Sequence, residues 1–156
     1  MQLDDRSVFL LSQLGHHVAD RFADELAPLG LRPAHFGVLT HLRDGSGLSQ
    51  QQLADLLRVH RNVMVGLVDD LETQGLVRRA PHPEDRRAHA VQLTGKARTL
   101  LREAATVADR LEETVLAPLD DGERAQLAAL LHRVAEHAGL PPGVHPALNR
   151  RPSRRG

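Results

Sequence analysis

The stretch GLSQQQLADLLRVHRNVMVGLVDDLETQGLVRRAPHPEDRRAHAVQLTGKA, residues 47–97, decides the fold. Ser49 and Gln52 have the spacing of a capping box, which predicts the start of a short helix. A three-residue turn at 58–60, plugged by Val59, leads to a second helix. That helix carries its apolar residues on one face: Met64, Val68 and Leu71. Two helices joined by so short a turn form a helix-turn-helix.

A β-hairpin follows the second helix in the same stretch. LVRRA and AHAVQL have the composition of short strands, and PHPEDRR between them is a loop stiffened by Pro81 and Pro83. A helix-turn-helix followed by such a hairpin is a winged helix.

The flanking segments are predicted to be helical. Apolar residues recur at helical spacing from residue 7 to 27, Pro33 opens a second helix, and Thr94 and Asp120 are caps for two more. Their apolar stripes exceed what a small wing domain covers, so we expect a second copy to bury them. The residues proposed for that interface are Leu11, Leu14, Val18, Leu111, Val115 and Leu130.

The predicted fold class is therefore mainly α with a small two-stranded β wing, a winged helix-turn-helix with terminal dimerisation helices. We divide the chain into an N-terminal dimerisation helix (1–31), a winged helix-turn-helix domain (32–95), C-terminal dimerisation helices (96–138) and a mobile basic tail (139–156).

Composition narrows the class of protein. The 156 residues are 41% hydrophobic, enough for one core, and they include no cysteine, which excludes disulfides and thiolate metal sites. Lys+Arg and Asp+Glu are both 20, so any nucleic-acid footprint must be local. Without a membrane-length apolar run or a secretory signal, the expected location is the cytoplasm.

The order of these elements resembles the MarR family of bacterial transcription regulators over roughly residues 7–138. The resemblance rests on a Leu-Ala helix, the helix exit LE..GLV.R, and the wing motif D-x-R before LT. It implies a homodimeric, sequence-specific DNA-binding regulator, most simply a ligand-responsive repressor on a pseudo-palindromic operator. The alternative is a winged-helix module that binds proteins and not DNA.

The wing motif supplies candidate DNA contacts. Alternation along a strand would place Asp85 and Arg87 on one side and Arg86 on the other. The resemblance implies that Asp85 and Arg87 pair to brace the wing, while Arg86 or Arg87 enters the minor groove, whose width an arginine reads. Arg78 and Arg79 would extend the phosphate-facing surface, as would His82 and His89.

The second helix of the motif supplies candidate base contacts on the face opposite its apolar side. Arg61 can bond guanine, Asn62 can pair with adenine, and Val63 can meet a thymine methyl group. Gly66 and Asp70 share that face, and Gly66 stands where family members commonly carry a polar or basic residue.

The effector and metal predictions are less specific. The resemblance implies a small anionic or phenolic effector between the dimerisation helices and the winged domain, with Arg21, His35 and His41 as candidate lining residues. We expect no cofactor and no metal site, although there are ten histidines, because their spacing lacks a ligand motif such as H-E-x-x-H. We expect no enzymatic activity, since no triad or phosphate loop is present.

Overall fold

The computed structural model describes residues 5–44 and 47–149, and within them the predicted order of elements is confirmed. The helices and strands are α1 (Ser7–Leu26), α2 (Pro33–Asp44), α3 (Gln50–Leu56), α4 (Arg61–Thr73), β1 (Val77–Pro81), β2 (His89–Leu93), α5 (Gly95–Val115) and α6 (Asp121–His137). Two 3-10 turns, Ala27–Leu29 and Pro146–Asn149, complete them.

The predicted caps are formed. In the capping box of α3, the Gln52 amide donates to Ser49 Oγ at 3.1 Å and the Ser49 amide donates to Gln52 Oε1 at 2.8 Å. Asp120 and Glu123 make the equivalent box at α6, and Thr94 caps α5. These contacts satisfy amides at the helix starts that have no partner within the helix.

The turn between α3 and α4 is held from inside. Val59 is 6% exposed, and its amide donates to the Ala54 carbonyl at 2.9 Å, which confirms its predicted role as a plug. At the other end of α4, Gly75 has a φ of 69°, the left-handed conformation that a residue following a helix often adopts. The chain thereby turns directly from α4 into β1.

The hairpin is anchored to the helix-turn-helix. β1 and β2 pair antiparallel from Val77 opposite Leu93 to Pro81 opposite His89. The Val91 amide also donates to the Leu48 carbonyl at 2.8 Å, just before α3 begins. The wing is therefore fixed in position relative to α3 and α4.

One core joins the end of α1 to α2, α4, the hairpin and α5, and it leaves two apolar surfaces uncovered. On α1, Leu11 and Leu14 are 43% and 51% exposed, and on α6, Leu130 and Val134 are 47% and 55% exposed. The prediction that Leu111 awaits a second copy is wrong, because it is only 5% exposed within its own chain. α1 packs on α5 and covers that side of the helix.

The segment after α6 returns to α2. Leu148 is 6% exposed and joins the core, and a methyl group at Gly37 would stand 3.5 Å from Leu148 Cδ2. Two aliphatic side chains, Val144 and Leu148, suffice to dock a stretch that lacks helical periodicity. Residues 150–156 lie outside the described part of the chain, so a mobile tail stays a prediction.

Candidate nucleic-acid interface

α4 exposes a short polar surface near its N-terminus. Arg61, Asn62 and Gly66 are exposed, while the opposite side of the helix is buried in the core. Val63 is half-buried and packs against that core, so only part of its side chain faces outward. The surface available for bases is therefore narrower than the sequence predicts.

Asp70, also predicted on this outer face, is held from within the protein. Arg32, just before α2, places its guanidinium 2.8 Å from Asp70 Oδ2 and 2.9 Å from His35 Nε2. His35 Nε2 lies 3.6 Å from the same carboxylate oxygen. We call these three residues the α2–α4 tether, since they join the start of α2 to the C-terminal half of α4.

His35 is the buried member of the tether, with 3% of its surface exposed. Burial lowers the pKa of its imidazole, the Arg32 charge lowers it further, and Asp70 opposes both effects. The backbone amide of Arg32 faces Nδ1 at 3.3 Å. If Nδ1 accepts from that amide, the ring hydrogen is on Nε2 and points toward Asp70.

Acidification is expected to destabilise the protein through His35. The unfolded chain takes up a proton near pH 6.5, whereas the folded imidazole does so only at lower pH. Stability from this group is thus complete above about pH 6.5 and falls below it by up to about 1.4 kcal/mol per pH unit. Urea unfolding of wild type and His35→Gln between pH 7.5 and 5 measures the difference. Equal slopes for the two proteins would contradict this assignment.

Arg79, predicted to face phosphates, is engaged inside the protein instead. Its guanidinium pairs with Asp69 at 2.5 Å and with Glu72, and its Nε donates to Gln50 Oε1 at 2.8 Å. These bonds join β1 to α3 and α4. Arg78 points outward and donates to Gln92 on the neighbouring strand at 3.0 Å.

The wing tip departs from the predicted strand geometry. The strand ladder ends at Pro81 and His89, so residues 82–88 form a turn in which strand alternation does not operate. Asp85 Oδ1 accepts from the Arg87 backbone amide at 2.9 Å, and no ion pair joins the two side chains, both of which are described. The brace is therefore a carboxylate-to-backbone bond, and the predicted Asp85–Arg87 side-chain pair is wrong.

His82 is a second brace that the sequence did not identify. Its Nδ1 accepts from the amides of Glu84 and Asp85, both at 3.2 Å, so Nε2 carries the hydrogen. Nε2 lies 3.3 Å from Gln52 Oε1 on α3, to which it can donate. The turn that carries Arg86 is thus tied to the start of α3.

Three arginines remain exposed on this side of the described chain: Arg61, Arg86 and Arg87. Their guanidinium groups make no hydrogen bond or ion pair with another described residue. By contrast, three acids of α4 are occupied by internal arginines: Asp69 and Glu72 by Arg79, and Asp70 by Arg32. The arrangement leaves unpaired positive charge on the helix and wing.

The structure does not bring the three candidate effector residues into one visible site. Arg21 pairs with Glu25 at 3.0 Å on α1, and His35 belongs to the α2–α4 tether. His41 Nδ1 donates to the Gly37 carbonyl at 2.8 Å. His35 and His41 are six residues apart and point about 120° from each other around α2.

A helix-turn-helix with an anchored wing and unpaired arginines on both defines a winged-helix DNA-binding protein. The sequence profile of the MarR family matches residues 29–88. The chain is 33% identical over 67% of its length to a proposed transcriptional regulatory protein for the hcr operon of Thauera aromatica, matching 63% of that protein. It is 30% identical over 76% of its length to the HTH-type transcriptional regulator PecS of Dickeya dadantii, matching 74% of PecS.

Solved structures agree. The transcriptional repressor CouR bound to a 23-mer DNA duplex has a TM-score of 0.76 and 33% identity, covering 85% of this chain and 94% of CouR. CouR from Rhodococcus jostii RHA1 bound to p-coumaroyl-CoA has a TM-score of 0.73 and 31% identity, covering 86% of this chain and 95% of CouR. The chain belongs to the MarR family. It is a transcriptional regulator and not an enzyme.

Other classes of site were compared with the described residues. No helix in residues 5–44 or 47–149 combines the length and apolarity needed to cross a membrane. Within the same ranges, no three side chains of the metal-binding types come together, and His16 pairs with Asp20 at 3.3 Å.

Proposed function

We propose that the protein is a homodimeric repressor that binds a pseudo-palindromic operator through α4 and the wing, and that a small anionic or phenolic ligand releases it. The observation that carries this proposal is the separation of charge around α4. Internal arginines pair with three acids of the helix, whereas Arg61, Arg86 and Arg87 point outward unpaired. Guanidinium groups suit both phosphates and guanine edges.

Specific roles follow for the exposed residues. Arg61 and Asn62 would read base edges in the major groove, with Val63 and Gly66 lying close to the bases. Arg86 or Arg87 would enter the adjacent minor groove, while Asp85 shapes the turn and does not touch DNA. Arg78 would contact phosphates. Arg79 would act indirectly, by fixing the hairpin against α3 and α4.

The exposed apolar surfaces of α1 and α6 support the homodimer. Four large aliphatic side chains on them are more than 40% exposed: Leu11, Leu14, Leu130 and Val134. Apolar surfaces of this kind mark association sites in proteins that remain dissolved. A twofold dimer would present two copies of α4 to two half-sites, which is why the operator is expected to be pseudo-palindromic.

Release by a ligand is supported by similarity to a ligand-bound relative. CouR, whose fold this chain shares, has been solved both with a DNA duplex and with p-coumaroyl-CoA. The α2–α4 tether gives a physical connection between α2 and the recognition helix α4 through which a ligand near α2 could act.

A gel-shift experiment tests the proposal. Purified protein is titrated against the DNA that flanks its own gene and against a shuffled duplex of equal length, at two salt concentrations. We expect a complex that prefers the flanking DNA and weakens with salt. Equal affinity for both duplexes, or none for either, would favour the protein-interaction alternative.

Arg86→Ala is expected to weaken operator binding and to flatten its salt dependence. One cation fewer near the phosphates lowers the slope of log K against log salt by about 0.9. Asp85→Ala should also weaken binding, because the Arg87 amide loses its acceptor and the turn relaxes. Glu84→Ala removes the same charge without that bond and is the control. Tighter binding by Asp85→Ala would show that the brace has no role.

Gly66→Ala is expected to stabilise the protein while loosening its operator complex. A Cβ at Gly66 would meet no atom within 4 Å, and alanine in a helix is favoured over glycine by about 1 kcal/mol. If the absent side chain lets α4 approach the bases, the added methyl group weakens specific binding. Melting temperature and operator affinity of this variant decide the matter, and a stabilised variant with unchanged affinity would refute the close approach.

A further inference from the structure

A cavity of about 240 Å³ opens between the end of α2 and the first half of α5. Its lining consists of Arg43, Arg98, Leu101, Arg102 and Ala105. None of the three effector candidates predicted from the sequence contributes to it. The cavity lies at the junction where the winged domain, through α2, meets the long helix α5.

The charge of the lining is unbalanced. Three of its five residues are arginines, and none is acidic. Like charges around one space repel, and a bound anion would relieve that repulsion. Arg98 and Arg102 are four residues apart, on one side of α5, and Arg102 is steadied by a 3.3 Å bond from its guanidinium to Thr99 Oγ1.

Beside the arginines lies a short apolar wall. Leu101 is 3% exposed, and Ala105 follows it one turn later on α5. The cavity is smaller than the about 300–1,000 Å³ of sites that enclose a drug-sized ligand. It therefore suits a small anion, or the anionic end of a longer molecule.

We propose that this cavity binds the phosphate group of a small phosphorylated compound. Guanidinium forks donate paired hydrogen bonds to phosphate oxygens, and a dianion matches several converging cations better than a single carboxylate does. The apolar wall takes the carbon portion next to the phosphate. This inference deepens the proposed ligand response and rests on it for its regulatory meaning, but the binding itself is measured without DNA.

Titration calorimetry with inorganic pyrophosphate, using the full chain and constant ionic strength, tests the site. We expect the wild type to bind pyrophosphate more tightly than acetate. Arg98→Gln combined with Arg102→Gln should weaken pyrophosphate binding at least about tenfold, because two charge-assisted contacts are lost. Arg110→Gln, two turns further along α5, should bind as the wild type does. Circular dichroism melting verifies that each variant is folded.

Two results would overturn the proposal. One is equal pyrophosphate affinity in the wild type and the folded double variant. The other is loss of operator affinity in the double variant with a flattened salt dependence, which would assign Arg98 and Arg102 to DNA phosphates. Failure of the wild type to bind operator would contradict the proposed function alone, since the calorimetry contains no DNA.

Discussion

Leu14→Glu combined with Val134→Glu is expected to make the protein monomeric and to lower its operator affinity by about 10²–10⁴-fold. Both side chains are more than half exposed on the apolar surfaces of α1 and α6. Burying a carboxylate without a partner costs far more than an apolar contact contributes, so the dimer should dissociate. A monomer binds only one half-site and loses the gain from binding two at once. Sedimentation and operator titration measure the two effects.

The control for this variant lies on the other side of α6. Ala125→Glu combined with Ala129→Glu adds the same charge on exposed positions about half a turn away from Val134. That variant should stay dimeric and bind operator. If the Leu14 and Val134 substitutions also leave a dimer, the surfaces of α1 and α6 are not the interface.

Arg61→Ala combined with Asn62→Ala is expected to remove most sequence discrimination. Each side chain, if it reads a base edge, contributes about 1–3 kcal/mol against the wrong base. The ratio of operator to random-DNA affinity should therefore fall about a hundredfold or more. Because both residues are exposed, the melting temperature should hardly change.

Competition titrations with unlabelled operator and random duplexes measure that ratio. Arg110→Ala, on α5 and outside the helix-turn-helix, serves as the matched control and should retain wild-type discrimination. An unchanged ratio in the α4 variant would show that specificity lies elsewhere, for instance in the wing.

The elements could be predicted because their signals are local. A capping box such as Ser49 with Gln52 involves hydrogen bonds three residues apart, and helical periodicity is visible within a single segment. The wing turn was misjudged since the strand rule holds only along the ladder, which ends at Pro81. Asp85 there bonds to a backbone amide, a local contact that the family pattern does not reveal.

Contacts between distant residues could not be predicted. Arg79 and Arg32 are both basic residues near the helix-turn-helix, yet each is occupied by acids of α4 through the tertiary fold. Leu148 similarly packs against α2 from more than a hundred residues away. The sequence lists the exposed arginines together with the engaged ones, and only the packing separates them.

Selection of binding sites from a random duplex library tests the central claim most directly. The full chain is used to enrich duplexes over several rounds, and the enriched pool is sequenced. Our account predicts one motif with twofold symmetry, whose half-sites are centred about 10 base pairs or one helical turn apart. An enriched motif without symmetry, or no enrichment at all, would contradict a homodimer that reads DNA through two copies of α4.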